Sequence, residues 1–283
     1  MAVAASKVAT RRVVNVLFVG FCYFVTAIAL LALAAILFTL VKNGFGNVNL
    51  DLFIKATPPE GEKGGLADAI LGSILICTLA MAFALTIGIL AGTWLAEYAG
   101  EGRYGHAVRF LNDVLLSAPS ILIGVFVAQL LVANTFHHYT GYAGAVALAL
   151  LAIPVIIRTT EDVLRLQPVS LRESGVALGT PIWTVIRTIL WRAASSGILT
   201  GALLAFARIS GETAPLLFTA LNNQYLSGMG DAVANLPVVM FNDALSAYDD
   251  LQRLAWAAAL IVSASVLGVI IIARILTREQ KTS

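Results

Sequence analysis

Arg208 and Glu212 stand four residues apart in the run Ala207-Arg208-Ile209-Ser210-Gly211-Glu212-Thr213-Ala214-Pro215, which lies within a long apolar segment. A guanidinium at mid-bilayer costs about 2.5–3.5 kcal/mol on insertion scales, so it is paired or faces a polar cavity. On a continuous helix, a spacing of four places both side chains on one face, where they pair directly. Two uses fit. The pair neutralises itself or ties two helices together; or it marks an anion path, with Arg208 as the attracting charge, Glu212 holding its rotamer and Thr213 beside them. Gly211 and Pro215 would loosen the helix here and free backbone groups that a pathway can use.

A second polar stretch, Ser170-Leu171-Arg172-Glu173-Ser174-Gly175-Val176-Ala177-Leu178-Gly179-Thr180-Pro181, separates two apolar segments. Ser170 and Glu173 have capping-box spacing. Gly179 can take the left-handed conformation that stops a helix, after which Thr180 offers an N-cap and Pro181 a first-turn residue for the next one. The small Ser174, Gly175 and Ala177 allow close approach by another surface. This is a docking loop for a partner or a helix lying along lipid headgroups.

These residues are positioned by a membrane chain. Of 283 residues, 59% are hydrophobic and 12% charged, and the mean hydropathy is +0.89; soluble domains carry about a quarter charged residues. Six segments suffice for a bilayer span of roughly 20 residues: Val13–Val41, Ile70–Leu95, Phe110–Val132, Ala143–Ile157, Ser195–Ala220 and Leu254–Ile275. The first far exceeds the 7–15 residues of a signal-peptide core, about half its length, and is read as a retained helix. With the N-terminus inside, the inner segments hold Lys7, Arg11, Arg12, Arg103, Arg109, Arg158, Arg165, Arg172, Arg187, Arg192, Arg274, Arg278 and Lys281. The outer loops hold only Lys42, Lys55, Lys63 and Arg253. The positive-inside rule thus places both termini in the cytoplasm. The expected fold is an all-α integral membrane protein with six transmembrane helices, divided into an N-terminal tail, first helix and outer loop (1–65), a transmembrane domain (66–277) and a short cytoplasmic tail (278–283).

The remaining polar features carry less chemistry. Cys22 and Cys77 both lie in apolar segments, which speaks against a disulfide framework or a metal site. Asp113 and Pro119 mark a kink in the third span. His137 and His138 belong to an outer loop and have no further ligands at chelating spacing. The outer stretch 222–250 holds Asp231, Asp243, Asp249 and Asp250 with no Lys or Arg before Arg253. It is either a docking surface or a solvated loop, and its apolar part Leu236–Phe241 can dip back toward the membrane.

Glu173, two small residues, three more positions, Gly179 and nine residues before Ile189 resemble the Glu-Ala-Ala loop of ABC-importer permeases, with Ser174 and Gly175 in place of the alanines and Trp191-Arg192 in place of the closing Leu-Pro. The run around Arg208, together with Ala177-Leu178-Gly179-Thr180-Pro181, Ala234-Asn235-Leu236-Pro237, Asn112-Asp113-Val114, Ala118-Pro119-Ser120 and Ile156-Ile157-Arg158-Thr159-Thr160-Glu161, resembles the PstA-type permeases of bacterial phosphate ABC importers from about residue 64 to 277. The resemblance implies a type I ABC importer permease architecture in the bacterial inner membrane. It implies a heterodimer with a second related permease, two copies of an ATPase subunit and a periplasmic phosphate-binding protein. Ser170, Arg172, Glu173 and Gly179 would then dock the ATPase, and Arg208, Glu212 and Thr213 would line the substrate path, with phosphate or another oxyanion as cargo. No Gly-x-x-x-x-Gly-Lys-Ser/Thr loop occurs in the chain, so ATP is expected to be hydrolysed by a separate subunit. No cofactor, metal or nucleic acid is expected; lipid is the surrounding solvent. An ion-coupled secondary transporter is the main competing reading, and a membrane-embedded hydrolase would lack a nucleophile–base constellation beyond Ser210 and Glu212.

Overall fold

The computed structural model describes the backbone of residues 2–59, 64–100 and 102–279, and the side chains of residues 11–59, 64–100 and 102–275. Lys7, Lys63, Arg278 and Lys281, and with them the tail 278–283, lie outside the residues whose side chains are described. Among the described residues every regular element is helical. In order these are α1 (Ala2–Phe45), the short α2 (Asp51–Ile54), α3 (Ala67–Glu97), α4 (Arg103–Ser117), and α5 (Ser120–Val127), which continues as a π-helical stretch to Phe136. Then follow α6 (Gly141–Arg165), α7 (Val169–Ala177), and α8 (Ile182–Val185), which passes through a π-helical turn into α9 (Trp191–Ser210). Last come α10 (Ala214–Thr219), α11 (Leu236–Ala244) and α12 (Asp249–Glu279).

Five helical spans are long and apolar enough to cross a membrane, and α4 with α5 supplies a sixth only as a bent pair. The kink expected at Pro119 within the third span Phe110–Val132 is present and sharp: the two helices meet at 102°. The residue before a proline is pushed out of the α region, and Ala118 accordingly sits at φ −66°, ψ 134°. The fourth span is longer than its apolar run, reaching through Pro154 and Arg158 to Arg165, and its start is capped by the Thr140 hydroxyl, which accepts from Ala143 N–H at 3.1 Å.

The core is built around α6, which is buried along most of its length from Gly141 to Leu164. Glycines let its neighbours come close: a Cβ on Gly88 or Gly92 of α3 would lie 2.7 Å from Ile156 Cβ and from Ile157 O respectively, and one on Gly197 of α9 would meet Val163. Small residues at such crossings are how helices associate in lipid, where hydrophobic exclusion gives little drive. By contrast, α1 is exposed from Arg11 to Thr39 and packs on α12, where Gly44 lies against Leu260 and Trp256. On the outer side α11 lies against α12 and α3. Its first turn is held by Asn235, whose Oδ1 accepts from Val238 N–H, and by Ser73, whose Oγ accepts from Leu236 N–H at 2.8 Å. The apolar stretch Leu236–Phe241 does fold back onto the bundle.

Candidate transport path and coupling site

The inner end of the bundle is tied by arginines. Arg172, on α7, donates from Nε and Nη2 to Glu97 Oε2 and Oε1 at 2.8 and 2.6 Å, and also to the carbonyls of Gln167 and Leu164 at 2.9 and 2.8 Å. A planar fork is suited to this double contact. It joins α7 to the last residue of α3 and satisfies carbonyls at the end of α6, where helical C=O groups lack partners. Glu97 is 4% exposed and Arg172 20%. The Glu97 hydrogen bonds push the guanidinium pKa further up, against the lowering effect of burial. A second tie lies beside it: the buried Glu161 accepts from Arg109 Nε at 2.7 Å and pairs with Arg165 at 2.9 Å. Arg109 also donates to Leu95 O and Gly100 O.

α7 stops as the residue types require. Gly179 adopts φ +75°, its N–H bonds Val176 O at 2.9 Å, and Thr180 N–H reaches back to Gly175 O at 3.4 Å. This pair of bonds is a Schellman closure. The start differs from the expected capping box. Pro168 is the N-cap, Ser170 lies inside the first turn, and no side chain caps the helix. Likewise Pro181, not Thr180, is the N-cap of α8. Gly175 is buried against Val185, so α7 packs back on α8, while Ser170, Glu173, Val176, Leu178 and Trp183 are exposed. Of the four residues expected to dock a partner, Ser170, Glu173 and Gly179 therefore lie on the open surface, whereas Arg172 is engaged within the chain.

Arg208, Glu212 and Thr213 fall at the end of α9, not along one helix. α9 ends at Ser210 with Gly211 as its C-cap, and Pro215 starts α10 instead of bending a continuous helix. The expected span Ser195–Ala220 is corrected accordingly: the helical span begins at Ile182 and ends at Ser210. Arg208 and Glu212 thus lose their shared face, and they form no ion pair; among the described residues Arg208 has no hydrogen-bond or ion-pair partner. Both are half-buried. Arg208 sits in the last turn of α9, where the negative end of the helix favours a cation. Thr213 lines a mostly apolar cavity of about 510 Å³ with Met240, Phe241 and Trp256, and its hydroxyl points to Pro237 O at 3.5 Å. Opposite, Gly124 of α5 lies against Pro215, where a Cβ would come within 2.6 Å of the proline Cα. The broken ends of two spans therefore meet.

His138 braces a loop: its ring nitrogens contact Phe136 O and Gly230 O at 2.7 and 2.9 Å. Asp113 is exposed, and its neighbour Asn112 is the buried member, donating to Pro154 O at 3.3 Å. Glu97 was not singled out in the sequence; its position as the acid closing a long apolar helix is the signal that points to it.

Residues 88–282 match the family described as binding-protein-dependent transport system inner membrane component. The chain is 50% identical over 272 residues to the phosphate transport system permease protein PstA of Haemophilus influenzae, covering 96% of each protein. It is 34% identical over 269 residues to the protein of that name from Mycobacterium leprae, covering 92% and 87% respectively. In fold it resembles a bacterial ABC transporter involved in import of the acidic polysaccharide alginate, with a TM-score of 0.65 at 15% identity, covering 91% of this chain and 96% of that one. It also resembles the inward-facing MetNI methionine ABC transporter, with a TM-score of 0.64 at 17% identity, covering 76% and 95%. The chain belongs to the binding-protein-dependent transport permeases of the inner membrane, and within them to the PstA type.

Proposed function

We propose that this chain is a pore-forming subunit of an ATP-driven importer and that its cargo is inorganic phosphate. The cargo follows the name borne by its half-identical relatives. The physical observation that carries the site is Arg208, a half-buried guanidinium with no partner among the described residues, at the break between α9 and α10. A hydrated anion needs a few donors of positive charge along its route, not a tight cage, and free N–H groups at a helix break add to them. Glu212 and Thr213 flank the same break and line the path with Arg208.

The exposed face of α7, with Ser170, Glu173 and Gly179, receives one of two ATPase subunits; a second, related permease completes the pore and a soluble binding protein loads it from outside. Nucleotide-driven closure of the ATPases moves α7, and the Arg172–Glu97 tie carries that motion into α3 and α6. Arg208→Gln is expected to abolish uptake in the reconstituted complex while assembly stays intact. Wild-type uptake at wild-type expression would remove Arg208 from the path. An ion-coupled carrier would be recognised by uptake that follows membrane potential without ATP.

A further inference from the structure

The end of α11 holds a carboxylate in surroundings that suit a cation. Asp243 is 8% exposed, its Oδ2 is sealed from solvent without a partner, and no hydrogen bond or ion pair reaches its side chain among the described residues. It lies in the last turn of a nine-residue helix, where the helix dipole adds negative potential. A buried charge left in this way is strongly disfavoured unless a countercharge arrives.

Asp243 also lines a cavity of about 540 Å³ whose polar wall is Thr57, Asn222, Gln224, Asn242, Ser246 and Tyr248. Among the described residues none that lines it is a lysine or arginine. The Thr57 N–H and hydroxyl both donate to Asp68 Oδ1, at 3.0 and 2.9 Å, so that residue turns only acceptor capacity toward a ligand. Arg253, the next basic residue along the chain, lines a different cavity with Asp51 and Asp250. The volume far exceeds the roughly 30 Å³ of one water and falls within the range of about 300–1,000 Å³ typical of ligand sites. A bare metal ion or a single water would leave it largely empty, and it has ample room for a long cationic side chain together with water.

We infer that this cavity is a socket for a lysine or arginine side chain presented by the soluble protein that delivers substrate to the outer face. The inference rests on the importer reading above. The socket and the candidate path lie at opposite ends of α11, whose first turn contains Pro237 with its carbonyl facing the Thr213 hydroxyl.

The test uses the complete complex in proteoliposomes, with ATP-driven uptake measured against the concentration of binding protein. Asp243→Asn is expected to raise the half-saturating concentration about tenfold with the saturated rate unchanged. Asp243→Glu, which keeps the charge, is expected to stay within about threefold of wild type. An unchanged half-saturating concentration in Asp243→Asn overturns the socket. So does a requirement for ethanolamine lipid, or for an added monovalent cation, that disappears in Asp243→Asn while the half-saturating concentration stays fixed, because the occupant is then a headgroup or a small ion. Failure of the importer reading is distinguishable, since wild-type uptake would then show no dependence on the binding protein at all.

Discussion

Arg172→Ala tests the mechanical joint between α7 and the spanning helices. The substitution leaves Glu97, 4% exposed, as a buried carboxylate without its fork, and it frees the carbonyls of Leu164 and Gln167. Breaking one partner of a buried pair costs about 3–5 kcal/mol, enough to loosen α7 from α3. The exposed surface of α7, with Glu173 and Leu178, is not touched by the change. The expected result is therefore specific: the ATPase still copurifies and still hydrolyses ATP, but uptake per ATP collapses. Arg172→Lys, which keeps the charge and loses the planar fork, is expected to fall between, at about 1–2 kcal/mol for the bonds it cannot remake. The decisive variant is Glu97→Gln combined with Arg172→Ala. Removing the stranded charge should recover about 2 kcal/mol relative to Arg172→Ala alone, a non-additivity within the range of contacting pairs. Thermal midpoints of the purified complex and the ratio of uptake to hydrolysis read the two effects separately. Additive single-variant losses, or wild-type coupling in Arg172→Ala, would refute the joint.

Other perturbations have defined outcomes. Gly179→Val meets no atom within 4 Å of the new Cβ, so its penalty is the left-handed backbone at φ +75° alone; a loss of at least 1–2 kcal/mol, roughly, at this turn should weaken ATPase pull-down, with Gly179→Asn markedly milder. Gly92→Ala forces a Cβ to 2.7 Å from Ile157 O, and overpacking of about 1–3 kcal/mol should lower the thermal midpoint while Gly20→Ala, which meets nothing, leaves it unchanged. Burial pushes the Asp243 carboxyl from an ordinary 3.8 up to about 6. A raised carboxyl pKa favours the protonated fold, so stability from this group is full below the ordinary value and is lost as pH climbs through about 6. Asp243→Asn should thus raise the midpoint of the isolated complex at pH 7.5 by an amount equivalent to at most about 3 kcal/mol, with the gain shrinking toward pH 4; a gain that is independent of pH would contradict this assignment.

The spans themselves were largely legible because lipid imposes length and apolarity on each one separately. α3 and α6 contain the expected Ile70–Leu95 and Ala143–Ile157, and Gly179 stops α7 in the left-handed conformation expected of it. What escaped was whatever depended on chain direction within an apolar run. Pro119 signals the kink in the third span, but hydropathy averages over Ala118-Pro119 and does not report its size, a turn of 102°. The four-residue spacing of Arg208 and Glu212 has meaning only on an unbroken helix, and Gly211 with Pro215 ends it. A proline two positions ahead displaced the Ser170 capping box, because Pro168 already occupies the N-cap. The Glu97–Arg172 fork joins residues 75 apart, and no local pattern encodes such a meeting.

The glycine-keyed crossings of α3, α6 and α9 also decide where this protein can bend. With backbone set almost against backbone, those three helices cannot slide past one another without steric collision. A push at the cytoplasmic end is therefore expected to reach the far side nearly undiminished, with the breaks at Ala118–Pro119 and Gly211–Thr213 as the seams where bending can concentrate. One of those seams adjoins Arg208, so the break proposed to pass phosphate is also a place where the bundle can yield.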